Sequence, residues 1–208
     1  MQSKQTGRIG AALIWCAVIA AIVVPVVAAS TSPLLAWRDP IYILAGFAGI
    51  VAMCLMLLQP LLIAGYLPGT PKVIGQRVHR MVGAALVIAI IIHVAGLWIT
   101  SPPDVMDALL FVSPTAFSVW GVIAMWAVFA AALLATFRKR LRLGFRTWRR
   151  AHLVFAVITV AGTVTHALLI EGTMETITKI LLCALVVLAT AKIILDLWVS
   201  AARRRRGT

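Results

Sequence analysis

The sequence predicts an all-α integral membrane protein: one bundle of six transmembrane helices with both termini in the cytoplasm. Three observations carry this. The 208 residues are 62% hydrophobic and the mean hydropathy is +1.05, well above the range of soluble domains. Six stretches reach the ~20 apolar residues that a span needs. They cover approximately 9–29, 41–63, 79–99, 117–137, 150–170 and 176–199. Charged residues, finally, sort to alternate ends of these stretches.

The first stretch follows Lys4 and Arg8 and ends near "VVAAS". A signal peptide has a similar outline, but its apolar region is usually only ~7–15 residues long. A retained helix is therefore expected. The second closes on "QPLLIAGYLPGTPK", where proline and glycine punctuate the exit into a loop. After the third comes "TSPPDVMDALLFVSPTAF". Pro102, Pro103 and Pro114 bracket a short amphipathic piece there, expected to be a solvated connector along the surface. The fourth and fifth are joined by "RKRLRLGFRTWRR" and the fifth and sixth by "IEGTMET". The latter link is short enough to make its two helices antiparallel neighbours. No remaining segment could form a soluble domain, so residues 1–208 read as a single domain. Lipid admits only helices or closed barrels, and the ten-residue alternation of barrel strands is missing.

The net charge of +13 does not point to nucleic acid. Lys4, Arg8, Lys72, Arg77, Arg80, the run 138–150 and Arg203 to Arg206 all fall at one set of ends. Asp39, Asp104, Asp107, Glu171 and Glu175 fall at the other, with Arg38 the main basic exception. Positive residues mark the cytoplasmic side, which makes this a multi-pass protein of the inner (plasma) membrane in contact with anionic lipid. Trp37, Trp98, Trp120, Trp148 and Trp198 sit near the expected interfaces. Cys16, Cys54 and Cys183 lie singly in apolar stretches and read as packing residues. Lys192 and Asp196 form an i,i+4 pair.

Histidines at lipid depth are costly. The chain has four, His79, His93, His152 and His166, all in the third and fifth spans. Each span carries two, fourteen residues apart. Fourteen steps of about 100° fall about 40° short of four turns, so each pair shares a helix face, with a rise of about 21 Å. Both spans run in the same direction. His79 and His152 are thus expected level near the inner surface, and His93 with His166 level nearer the outer one.

Zinc usually takes four ligands at one point, and only two histidines meet at each level. A proton relay needs donors closer than ~21 Å. A b-type haem needs two axial imidazoles on opposite faces of a flat apolar ring. Gly83, Gly96 and Gly162 share faces with their histidines and would let a ring approach the backbone, though small residues also serve helix packing. Arg80, Arg149 and Arg150 flank the inner pair, either as topogenic charge or as partners of haem propionates. Trp126 and Phe129, mid-way along the fourth span, are candidates to line the gap between the two levels or to be ordinary core aromatics.

The pattern "VHR…H" in span three with "WRRAH…H" in span five, within six spans, resembles the ferric reductase-like transmembrane domain superfamily. That superfamily includes the membrane parts of ferric reductases and NADPH oxidases, and MsrQ-type haem subunits of a bacterial sulfoxide reductase system. The likeness covers nearly the whole chain, and the paired His-x13-His spacing is its specific part. It implies two b haems and electron transfer across the membrane. His79 and His152 would hold the inner iron, and His93 and His166 the outer. With both axial positions taken, oxygen or a ferric chelate would be reduced by outer-sphere transfer at an exposed haem edge.

Ferric reductases and NADPH oxidases continue into a cytoplasmic flavin and nicotinamide domain, whereas this sequence stops at "RRRRGT" and has no GxGxxG loop opening a soluble helix. The expected donor is a separate flavoprotein reductase or a membrane quinol. The basic inner face suits an acidic donor, or the phosphates of FMN or FAD bound there or on a partner. Outer-side acceptors would be a ferric chelate, oxygen or a periplasmic partner reductase. The competing readings are a quinol-linked MsrQ-like subunit, a b561-type cytochrome, and, from another class, a metal or proton transporter using the membrane histidines.

Overall fold

The computed structural model describes the backbone of residues 2–206 and the side chains of 7–200, 202 and 203. Lys4, Arg204, Arg205 and Arg206, counted above as topogenic, lie outside the described side chains. Seven α-helices follow in order: α1 Gln2–Ser30, α2 Pro40–Ala64, α3 Lys72–Thr100, α4 Pro102–Leu109, α5 Ala116–Thr136, α6 Phe145–Leu169 and α7 Thr176–Arg206, with a 3-10 turn at Pro33–Leu35. No strand occurs among the described residues. All but α4 contain a segment long and apolar enough to cross a membrane, and large apolar side chains such as Leu13, Ile19, Ile88 and Leu188 are exposed on their outer faces.

Local chemistry explains the ends. Asp39 caps α2, accepting from the Ile41 amide at 2.7 Å, and Pro40 occupies the first turn, where no N–H is needed. Gly65 stops the helix at φ 73°, a left-handed conformation that glycine adopts without strain. Glu175 accepts from the Ile177 and Thr178 amides at 2.7 and 2.9 Å and so opens α7. These two amides hold its carboxyl below the usual carboxylate range.

Four helices run past their predicted spans at the basic end: α1 begins at Gln2 rather than 9, and α7 continues to Arg206 rather than 199. α3 begins at Lys72 rather than 79, and α6 at Phe145 rather than 150. Apolar composition marks what lipid covers, but Lys, Arg and Gln are good helix formers and carry the helix further. His79 and His152 consequently each lie seven residues inside a helix, not at its start.

α2 packs between α1, α3 and α7, while α5 packs chiefly on α6. A core of Ile50, Met53, Leu57, Ala167, Leu182 and Val186 lies where α2, α6 and α7 meet. Gly46 near Thr173 and Tyr66 on Asp196 place α2 parallel to α7. Ala45 with His93 and Gln59 with His79 place it antiparallel to α3. The bundle therefore has a basic end, with Arg8, Lys72, Arg80, 138–150 and Arg203, and an acidic end with Asp39, Asp104, Asp107, Glu171 and Glu175. α6 and α7 do touch as neighbours. The pair Lys192–Asp196 forms at 2.6 Å, and Asp196 also accepts from the Tyr66 hydroxyl. Cys54 and Cys183 are buried and free, and Cys16 is exposed.

The amphipathic piece around Pro102 forms α4 along the surface: Pro102, Pro103, Asp104, Met106 and Asp107 are exposed and Val105 is buried, while Asp104, Asp107 and Leu109 also line a cavity. One expectation needs correction. Trp126 is 56% exposed and meets Phe129 edge-on on the outside of α5. Between the histidine levels stand Leu86 and Thr159 instead, both buried and each seven residues from both histidines of its helix.

Candidate functional site

The parallel helices α3 and α6 bring the four histidines together in two pairs. At the basic end the rings of His79 and His152 are 6.5 Å apart between centroids, inclined at 70°. Toward the acidic end, His93 and His166 both line a cavity of about 450 Å³. That volume lies in the range of ~300–1,000 Å³ typical of small-molecule and cofactor sites.

The neighbouring helices hold these rings in place. His93 Nδ1 lies 2.7 Å from the Ala45 carbonyl, and His79 Nδ1 3.3 Å from the Gln59 carbonyl, both on α2. His166 Nδ1 lies 2.9 Å from the Phe117 carbonyl on α5. A carbonyl can only accept, so in these three Nδ1 carries the proton and donates, and the neutral ring keeps its lone pair on Nε2. His152, near the Ala131 carbonyl of α5, has no hydrogen-bond partner for Nδ1 among the described residues.

A repeat underlies this wiring. The α2 acceptors, residues 45 and 59, are fourteen apart, as are residues 117 and 131 on α5. Four residues after each first acceptor comes a glycine. A Cβ on Gly49 would lie 3.1 Å from His93 Nδ1, and one on Gly121 would lie 2.7 Å from His166 Nδ1. Both glycines line the cavity, as do Met53 and Met125. The sequence carries the signal openly: "GIVAM" at 49–53 recurs as "GVIAM" at 121–125. The hairpins α2–α3 and α5–α6 thus share one pattern for positioning a histidine. Sequence reasoning found the histidines and missed Gly49 and Gly121.

The glycines it did choose sit elsewhere. A Cβ on Gly96 would meet Ala45 Cβ at 2.8 Å, and one on Gly162 the Trp120 carbonyl at 2.9 Å, so both lie at close helix–helix contacts. Gly83 has only Gln59 Nε2 nearby, at 3.6 Å from such a Cβ. Arg80, Arg149 and Arg150 are exposed at the basic end, beside the His79/His152 pair.

Trp148, expected in the interfacial belt, has a different place. Its ring stacks on His152 with centroids 5.6 Å apart and planes 18° apart, one turn earlier on the same face of α6. Arg138 lies 4.9 Å over its other side. The Trp148 Nε1 and His152 Nδ1 atoms are buried without hydrogen-bond partners among the described residues. Such orphaned polar atoms are costly. A carboxylate-bearing group at this level would give the indole N–H an acceptor.

No three His, Cys, Asp or Glu side chains gather among the described residues, which disfavours a four-ligand metal site. Paired imidazoles with free Nε2 atoms beside an apolar cavity fit a flat cofactor taking two axial ligands. The ferric reductase like transmembrane component family matches residues 49–163, which is 115 of the 208 residues. The chain belongs to this ferric reductase-like family. The matched stretch holds His79, His93 and His152 and both repeat pentapeptides, and stops three residues before His166. No curated protein and no solved structure matches the chain. With six helices long and apolar enough to cross a membrane, a ferric reductase-like chain has membrane electron transfer as its general role.

Proposed function

We propose that this ferric reductase-like chain is a di-haem b-type cytochrome of the inner membrane that moves single electrons from its basic to its acidic end. Basic residues mark the cytoplasmic side, so both termini are inside in this reading. One observation carries it: two histidine pairs at two depths, with Nδ1 of His79, His93 and His166 turned to a backbone carbonyl. Two imidazoles on one iron, at about 2.0 Å per metal–nitrogen bond, would have centroids about 6 Å apart. The 6.5 Å between His79 and His152 agrees with that.

When bound, haem supplies a one-electron couple. The chain's own residues do the rest. His79 and His152 hold the inner group, and His93 and His166 the outer. The backbone hydrogen bonds of His79, His93 and His166 fix ring orientation and raise ligand basicity. Leu86, Thr159, Met53 and Met125 are buried in the interval between the two levels. Arg80, Arg149 and Arg150 are placed to meet inner propionates or an acidic donor.

Purified protein should be red and carry two haem b per chain by pyridine haemochrome assay. His79→Ala or His152→Ala should remove one, and His93→Ala or His166→Ala the other. A colourless but fully folded preparation sinks the reading. The donor at the basic end is a flavoprotein or quinol, and reduction by a docked flavoprotein should slow with rising salt. A salt-insensitive rate counts against electrostatic docking.

A further inference from the structure

We propose that Lys179 is a carboxylate-binding residue of the acidic-end cavity. This rests on the haem reading of His93 and His166, which line the same cavity. Lys179 sits in the first turn of α7 and is only 7% exposed. Its Nζ donates to the Ile170 carbonyl at 2.8 Å, at the end of α6. An ammonium has three donors, so two remain. Among the described residues the one ion pair is Lys192–Asp196, so no carboxylate contacts Lys179 Nζ directly. Glu175, one turn earlier, feels its charge but turns its carboxylate oxygens to the Ile177 and Thr178 amides.

Capping the end of α6 accounts for one hydrogen bond and would work equally well from the surface. It does not account for burial, which is expensive for an unpaired cation. Thr173, also buried, adds a hydroxyl to the same stretch of cavity wall. The cavity thus offers two imidazoles in an apolar interior and a cation with a hydroxyl at its edge. The ligand that suits this is a flat apolar body with a peripheral carboxylate. That carboxylate has two sources: the porphyrin's own propionate, or an anionic acceptor arriving from solution. Asp104 and Asp107 of α4 line the cavity as well and repel any carboxylate, so one carried in on a ring that the imidazoles hold is favoured over a free anion.

The test uses purified protein with both haems and the variants Lys179→Gln and Lys179→Arg. In a redox titration, Lys179→Gln should lower the midpoint of the haem that His166→Ala removes by about tenfold in its reduced-to-oxidised ratio, or about 59 mV for one electron. Loss of a nearby positive charge disfavours the more negative, reduced state. Lys179→Arg should behave as wild type, and the other haem serves as internal control. In wild-type protein, reconstitution with haem dimethyl ester, whose carboxylates are blocked, should leave that site less occupied than reconstitution with haem itself. Re-oxidation by anionic Fe(III)-EDTA relative to cationic hexaammineruthenium(III) should be unaffected by Lys179→Gln. A selective tenfold loss with the anionic oxidant, at unchanged midpoints, would instead assign the carboxylate to the acceptor. If midpoints, haem content, ester reconstitution and oxidant ratio all stay at wild-type values, the inference is overturned while the di-haem reading stands. If wild-type protein carries no haem at His93 and His166, both fall.

Discussion

Alanine at Gly121 offers the sharpest test of the histidine wiring. The new Cβ would lie 2.7 Å from His166 Nδ1 and 3.0 Å from its Cε1. Neither separation is tolerable, so the ring must move, and its 2.9 Å hydrogen bond to the Phe117 carbonyl must stretch or break. Overpacking costs ~1–3 kcal/mol and the lost hydrogen bond about 1 kcal/mol. Together they weaken retention at the acidic-end site by roughly 30- to 1,000-fold. Gly49→Ala should lose less, because its Cβ would stand 3.1 Å from His93 Nδ1. Gly83→Ala should be neutral, its nearest neighbour being Gln59 Nε2 at 3.6 Å. The assay is haem stoichiometry after detergent washing, with the low-spin electron paramagnetic resonance signal of each site. The basic-end haem reports that the bundle is folded. Two haems retained in Gly121→Ala, or equal loss in Gly83→Ala, would refute the reasoning.

Three further outcomes follow from contacts already described. Trp148→Leu removes the ring stacked on His152, a contact of ~0.5–1.5 kcal/mol, and should alter the basic-end haem signal alone; a change at both sites would mean a global effect. Lys192→Ala should shift the thermal midpoint little, because the pair is 58% and 48% exposed and exposed pairs contribute little to stability. Glu175 has its carboxyl held down by two amides. Its stabilising effect is therefore present above the ordinary carboxylate range and lost as pH falls through the lowered value. Amide exchange at Ile177 and Thr178 should accelerate on that acid limb, and Glu175→Gln should exchange quickly at neutral pH as well.

The bundle was legible in the sequence because twenty apolar residues in a row have few other fates in water or lipid. The histidine pairs were legible because helical period converts a spacing of fourteen into a shared face. What stayed hidden depended on neighbours. Gly96 lies on the same face as His93, but which helix presses there decides its use, and that helix is α2 with Ala45. Trp148 fits an interfacial belt by position, yet a stacking partner one turn on claims it. Lys179 passed unnoticed because a lysine near a span end usually reaches the surface, and only packing reveals that this one is covered. The pentapeptide repeat at 49–53 and 121–125 was readable, but its meaning required knowing that both copies face histidines.

The doubled hairpin also bears on how such a molecule is made. Each histidine pair draws one residue from α3 and one from α6, with α4 and α5 between them in the chain. In the proposed di-haem reading, the first hairpin enters the membrane during synthesis with two half-complete chelates and nothing to close them. Capture of the iron-bearing rings would follow arrival of α6. The cofactor would then be the last part installed, working as a pair of cross-bolts joining two similar halves.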